Sequence, residues 1–212
     1  MTQILLNHVV SGTAKSTDLQ TGYIKTLAKG GASTTNTLSM YVDLTSGVKL
    51  NGVAKVTTAD VMASNGIIHV VDAVIGLPTI VTHATANPNF STLATLLTTQ
   101  NLISTLSSSA TPSPFTVFAP LNSAFDTATT SLYGGLTSTQ KTAVLTYHVI
   151  GGANVLSTGI PASSPTLETG ILRFSGATIT DEQARVTNIV LTDVQCSNGI
   201  IHAVNKVLLP TL

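Results

Sequence analysis

The chain has 212 residues, which is room for one or two domains, and 43% of them are apolar, ample for a core. Nine basic residues balance nine acidic ones, and only 8% of positions are charged, against about 25% in a typical soluble domain. Zero net charge argues against nucleic acid as a partner, because phosphate binding needs a basic face, and no apolar run reaches the roughly 18 residues of a membrane span.

The surface must therefore be built largely from Ser, Thr, Asn and Gly, which suits an extracellular or cell-envelope protein. A single cysteine, Cys196, excludes an intrachain disulfide. The N-terminus lacks the basic start and cleavage site of a signal peptide, so an exported form of this chain is a mature form or a fragment.

In chain order, residues 1–8 match the late part of a helix further on, Lys141 to His148. That helix carries a capping box, Thr137 with Gln140. His8-Val9-Val10-Ser11-Gly12 then matches His148-Val149-Ile150-Gly151-Gly152. Residues 13–63 read as β structure, with a hairpin turning at Asn51-Gly52. Ser64-Asn65-Gly66-Ile67-Ile68-His69 begins a strand that is apolar on both alternating faces, which predicts burial on both. Residues 79–88 read as a joint. Phe90, Leu93, Leu96 and Leu97 recur at helical spacing as a core-facing stripe. Phe115 to Pro120 is a strand stopped by proline, and Asn122 to Phe125 starts a short helix. Strands follow over 171–174 and 185–191. The six letters of 64–69 then return as Ser197-Asn198-Gly199-Ile200-Ile201-His202, at an offset of 133 residues. An identical hexapeptide at a domain-sized offset marks a duplicated module.

These residues resemble the fasciclin (FAS1) domain family. Phe115 to Phe125 is similar to the family's first box, Tyr147-His148 to its tyrosine–histidine motif, and Asn198 through Pro210 to its second box. The first module carries only the later landmarks, with Asn7 in place of the tyrosine. The resemblance implies an α+β fold, a β wedge or sandwich with packed helices. It divides the chain into 1–81, the C-terminal part of one repeat, and 82–212, a complete repeat. It also implies secretion or surface display and an adhesive role. Integrin binding in animal members has been ascribed to the tyrosine–histidine region and to an aspartate–isoleucine pair before the second box. By position these are Tyr147 with His148 and Asp193 with Val194; Asp60 with Val61 is the first module's counterpart. Valine replaces isoleucine in both pairs.

These six residues are the candidate partner-binding set. Three of them, His148, Asp60 and Asp193, have a plainer reading. His148 and His8 also fit core histidines that bond a backbone carbonyl, and His69 and His202 sit on strands with apolar faces. Asp60 and Asp193 also fit turn aspartates that accept local backbone hydrogen bonds. Cys196 fits a buried, inert thiol. No cluster has metal-ligand spacing, no cofactor motif is present, and no phosphate loop, dinucleotide fingerprint or nucleophile elbow appears. The expectation is a non-catalytic adhesion module that binds a protein or glycan on a cell surface or matrix. The alternative is an envelope protein holding a small ligand in a cleft between helices and wedge. A strand set without its covering helices predicts either dimerisation through residues 1–81 or packing of that part on the second module.

Overall fold

A computed structural model describes residues 1–212. Helix α1 (Thr2–Leu6) opens the chain, followed by strands β1 (Gly22–Gly30), β2 (Ser33–Asp43), β3 (Lys49–Leu50), β4 (Ala54–Ala63) and β5 (Gly66–Val71). These strands form one antiparallel sheet in chain order. The Asn-Gly turn between β3 and β4 is formed as read: Asn51 (φ 50°) and Gly52 (φ 69°) both take the left-handed conformation that this dipeptide tolerates. The Asn51 side chain also accepts the Tyr41 amide at 2.7 Å, which locks the turn to β2.

Helices α2 (Ile80–Ala86), α3 (Ser91–Thr99) and α4 (Ile103–Ser107) come next, then β6 (Phe115–Pro120), α5 (Thr127–Gly135), α6 (Ser138–Tyr147) and β7 (Val149–Gly151). Strands β8 (Ser163–Pro165), β9 (Ile171–Ser175), β10 (Thr178–Thr180), β11 (Val186–Cys196) and β12 (Gly199–Val204) complete a second sheet. Its order is β7-β6-β12-β11-β10-β9-β8. β6 and β12 run parallel, and the other neighbours are antiparallel. The expected capping box of α6 is present, Thr137 with Gln140. The expected joint at 79–88 is instead a helix, α2, because Thr79 and Thr82 form a second, unpredicted capping box. Ile80 of α2 lies in the core of the second sheet, two residues ahead of the boundary placed at 82.

That core has two sides. The Phe90, Leu93 and Leu97 stripe packs with Leu145 against Val117, Val194 and Ile201. On the opposite face, Phe118, Tyr147, Leu172, Ile179 and Leu208 pack together. All six residues of β6 and all six of β12 are buried. The same sequence in β5 behaves differently, which corrects the expectation of burial on both faces. Ile68 is 53% exposed and Val70 45%, because no helix covers that face and β5 is the last strand of its sheet.

The first sheet packs on the second, the latter of the two expected arrangements. Tyr23 of β1 packs against the core of the second sheet, and polar contacts gather at the Ser197-Asn198 tip. The Ala32 amide donates to the Ser197 carbonyl at 2.9 Å, and the Ser197 amide donates to Pro78 at 2.7 Å. Asn198 accepts the Ile80 amide through its side chain at 3.0 Å, and Ser39 accepts the Gln195 amide at 3.0 Å. A Cβ added at Gly30 would collide with the Ser197 backbone, whereas one at Gly31 meets only the Ser197 carbonyl oxygen at an ordinary 3.6 Å. Gly30→Ala is therefore expected to cost about 2–3 kcal/mol in urea unfolding, and Gly31→Ala close to nothing. Equal stabilities would mean that the two sheets are not packed at this point.

Candidate functional site

The duplicated residues build the same two devices in both halves. The first is a histidine clamp. His148 Nδ1–H donates to the Val144 carbonyl at 2.7 Å, and its Nε2 accepts the Leu208 amide at 2.9 Å. His8 repeats the pattern with the Ile4 carbonyl at 2.8 Å and the Ile75 amide at 3.0 Å. Each ring ties the end of a helix to the chain just beyond the repeated strand. Burial pushes the His148 pKa down to about 4, so the ring is neutral at pH 7.

Tyr147, beside it, has no exposed surface. Its hydroxyl donates to the Ile171 carbonyl at 3.0 Å and accepts the Glu182 amide at 3.1 Å. Burial raises its pKa to about 12. Asn7 occupies the tyrosine's place in the first half, also fully buried, and donates to the Gly76 carbonyl at 2.9 Å.

The second device is an aspartate on a β-bulge. Asp60 (φ 58°) and Asp193 (φ 61°) sit where the pairing of β4 with β5 and of β11 with β12 slips register. Asp193 accepts the Ser157 amide at 2.9 Å and the Ser157 hydroxyl. Asp60 does the same with the Ser16 amide, at 2.9 Å, and hydroxyl. The Ser16 hydroxyl and amide hold the Asp60 carboxyl below its usual pKa. Each bulge thereby fastens a loop that crosses the sheet. The partner serines were not picked out from the sequence. The shared Ser-Thr pair, at 16–17 and 157–158, eight and nine residues after the clamp histidine, was the available signal.

Serine, aspartate and histidine meet at each bulge, but not as a catalytic relay. The serine proton goes to the carboxylate. His202 Nδ1 accepts the Asp193 amide at 3.4 Å, and its Nε2–H donates to the Val155 carbonyl at 2.9 Å. His69 is arranged likewise with Asp60 and Ala14. Neither histidine can take a serine proton in this arrangement. Burial raises the Cys196 thiol well above its usual range, which leaves it un-ionised and unreactive. Between helices α2–α4 and the second sheet only about 10 Å³ is open, room for one water at most, so the expected ligand cleft is closed there.

Of the six candidates, Tyr147, His148 and Val194 are buried and cannot touch a partner in this conformation. This corrects the expectation of direct contact: their polar groups are occupied within the chain. Asp60 and Asp193 are half-buried and committed to their serines. Val61 alone is exposed, at 42%. The structure does not gather the six into one surface; it forms two copies of one scaffold.

The fasciclin domain profile matches residues 1–78 and 88–210. The chain belongs to this family. An uncharacterised protein of Synechocystis sp., sll1735, is 34% identical over 139 residues, covering 63% of this chain and 98% of that protein. The cell surface glycolipoprotein MPB83 of Mycobacterium bovis is 31% identical over 138 residues, covering 62% of this chain and 60% of its own length. In structure, the FAS1 domain pair of the insect cell adhesion molecule Fasciclin I superposes with a TM-score of 0.57 at 20% identity, covering 98% of this chain and 79% of that one. The fasciclin fold is thus shared along nearly the whole chain.

In this fasciclin chain Asp193→Ala would remove two acceptors and force alanine into a left-handed backbone. The expected loss in stability is roughly 2–3 kcal/mol, and Asp193→Asn, which tolerates that conformation, should lose less than half as much by chemical denaturation. A second outcome concerns pH. His83 on α2 is fully buried beside Tyr23, ring centroids 5.3 Å apart, with no protein hydrogen-bond partner on either nitrogen. Burial, aided by Lys25, lowers its pKa to about 3. Both His83 and His148 are therefore protonated more readily unfolded than folded. Their stabilisation is complete above the unfolded pKa of about 6.5 and falls as pH drops toward 4, by on the order of 3 kcal/mol each. His83→Leu is expected to fold at pH 7 and to flatten that decline between pH 6.5 and 4.

Proposed function

We propose that the protein is a secreted or surface-displayed interaction module that binds a protein or glycan on a cell surface or matrix, without chemistry of its own. In this reading it is one complete fasciclin repeat behind the later part of another. The observation that carries it is the uncovered outer face of β4 and β5. Val61 (42% exposed), Ile68 (53%) and Val70 (45%) stand open there, while their counterparts Val194 (2%) and Ile201 (1%) are buried under helices. A contiguous apolar face rimmed by hydroxyls is the kind of surface that contacts another molecule. Support also comes from the relatives named as a cell surface glycolipoprotein and as a cell adhesion molecule. A binding role accords with the occupied histidines and serines, which leave no nucleophile paired with a base.

The contact therefore belongs to Val61 and its neighbours rather than to the tyrosine–histidine pair. The test is adhesion of host cells to surfaces coated with the protein. Val61→Asp with Ile68→Asp should lower adhesion several-fold while the circular dichroism spectrum is kept. Tyr147→Phe, which removes only a buried hydroxyl, should leave adhesion unchanged. Adhesion lost in Tyr147→Phe and retained in the double variant would reverse the assignment.

A further inference from the structure

Four of the five histidines are held at both ring nitrogens by the chain itself. His8 and His148 clamp helix ends, and His69 and His202 brace the bulges. His83 is the exception, buried with neither nitrogen bonded. A buried imidazole without a partner weakens the fold at neutral pH, where a leucine would not. The property that leucine lacks is a proton taken up near neutral pH once the ring is free in water.

His83 stands where the two halves meet. It lies four residues before Asn87, so both side chains leave the same face at the end of α2. Both meet Tyr23 of β1. The two rings sit 5.3 Å apart at 80°, and the Asn87 amide donates to the Tyr23 hydroxyl at 3.2 Å. Behind Tyr23 packs Tyr41 of β2, 5.0 Å away. Ser39 of β2 takes the Lys25 ammonium and the Gln195 amide of β11 on its hydroxyl, both at 3.0 Å. Lys25 also reaches the Asp193 carbonyl.

The titratable groups around this seam are Tyr23 and Lys25 from β1, Tyr41 from β2, and Asp193 and Cys196 from β11. Burial keeps both tyrosines and the thiol neutral. The Asp193 carboxylate is turned to Ser157. Of the charged groups only Lys25 acts on His83, and it opposes a second positive charge. The Ser39 backbone lies near enough to favour a proton, though outside hydrogen-bond geometry, and burial outweighs it. A proton on the docked ring therefore has a cation beside it and no carboxylate to receive it.

We infer that the seam between the first sheet and α2 is an acid-released joint: a proton on His83 parts the two halves while the second half stays folded. Opening breaks the Ala32–Ser197, Gln195–Ser39 and Lys25–Asp193 bonds and brings the ring to water. It leaves the Asp193–Ser157 strap in place, and both core clusters of the second half draw on the first sheet only through Tyr23. Burial holds the docked ring to a pKa of about 3, against about 6.5 in water. Closure is thus fully supported above pH 6.5 and lost as pH falls toward 3, and the opening equilibrium rises about twentyfold between pH 7 and pH 5. None of these residues lies on the outer face of β4 and β5, so the inference stands or falls apart from the adhesive reading.

The test is native-state hydrogen exchange of the full chain at pH 7 and pH 5, each rate divided by the intrinsic rate at that pH. The Ala32 and Gln195 amides, bonded across the seam, should lose about twentyfold in protection at pH 5. The Phe118 and Leu208 amides, bonded within the second half, should stay at least about tenfold better protected than those two. Return to pH 7 should restore the seam. In His83→Leu the seam amides should keep their protection to within about twofold between the two pH values; His83→Met gives the same readout should the leucine variant fail to fold. Seam and interior amides that exchange alike at pH 5 would mean that acid unfolds the whole chain rather than opening a joint. A loss that persists in the leucine or methionine variant would put the proton elsewhere. Either result overturns the inference, as does unchanged seam protection in the parent chain.

Discussion

A strand in the middle of a sheet must have both of its edges met, and the fold follows from how each half answers that demand. β12 has β6 on one edge and β11 on the other, with α2 and α3 above and the Phe118 cluster below. Every residue in it is buried. β5 has the same first four letters, the same bulge beside it and the same histidine, but only β4 for a neighbour. Identical sequence therefore gives a core strand in one place and an edge strand in the other. The local devices survive the change because they are local. The histidine clamp and the aspartate strap each close over a few backbone groups and need no helix above them.

The halves are joined through a tip and through β1 and β2, whose Tyr23 packs against the second half's core and beside His83 of α2. Ser197 and Asn198 belong to the turn before β12, and they receive Gly30, Ala32, Pro78 and Ile80 from the first half and the linker. The tip at Ser64-Asn65 is exposed. A duplicated motif thus has one copy used as a socket and one left free. Lys25 strengthens the joint by donating to the Asp193 carbonyl at 2.8 Å, so one bulge is touched by both halves.

Much of this was legible in the sequence. The repeat at 64–69 and 197–202 reported the duplication, and the Asn51-Gly52 turn and the Thr137–Gln140 cap formed as read. Helix α2 was hidden because its cap is Thr79 with Thr82, hydroxyls that look like loop residues in a chain so rich in threonine. The burial of β5 was overestimated because alternation reports what a strand could bury, while actual burial depends on elements that pack on it. The candidate site was least legible. His148 is the core histidine of its plainer reading, bonded to the Val144 carbonyl, whereas the burial of Tyr147 was not legible, since its partners Ile171 and Glu182 lie far along the chain. Asp60 and Asp193 were visible, but the serines that bind them were not, because a loop crossing a sheet leaves no periodic trace.

One further consequence lies in Asp193. Its carbonyl takes the Lys25 ammonium of the first sheet while its carboxylate holds Ser157 of the second half. Disturbing this one bulge therefore loosens two contacts at once, and unfolding of the two halves is coupled through a single backbone position.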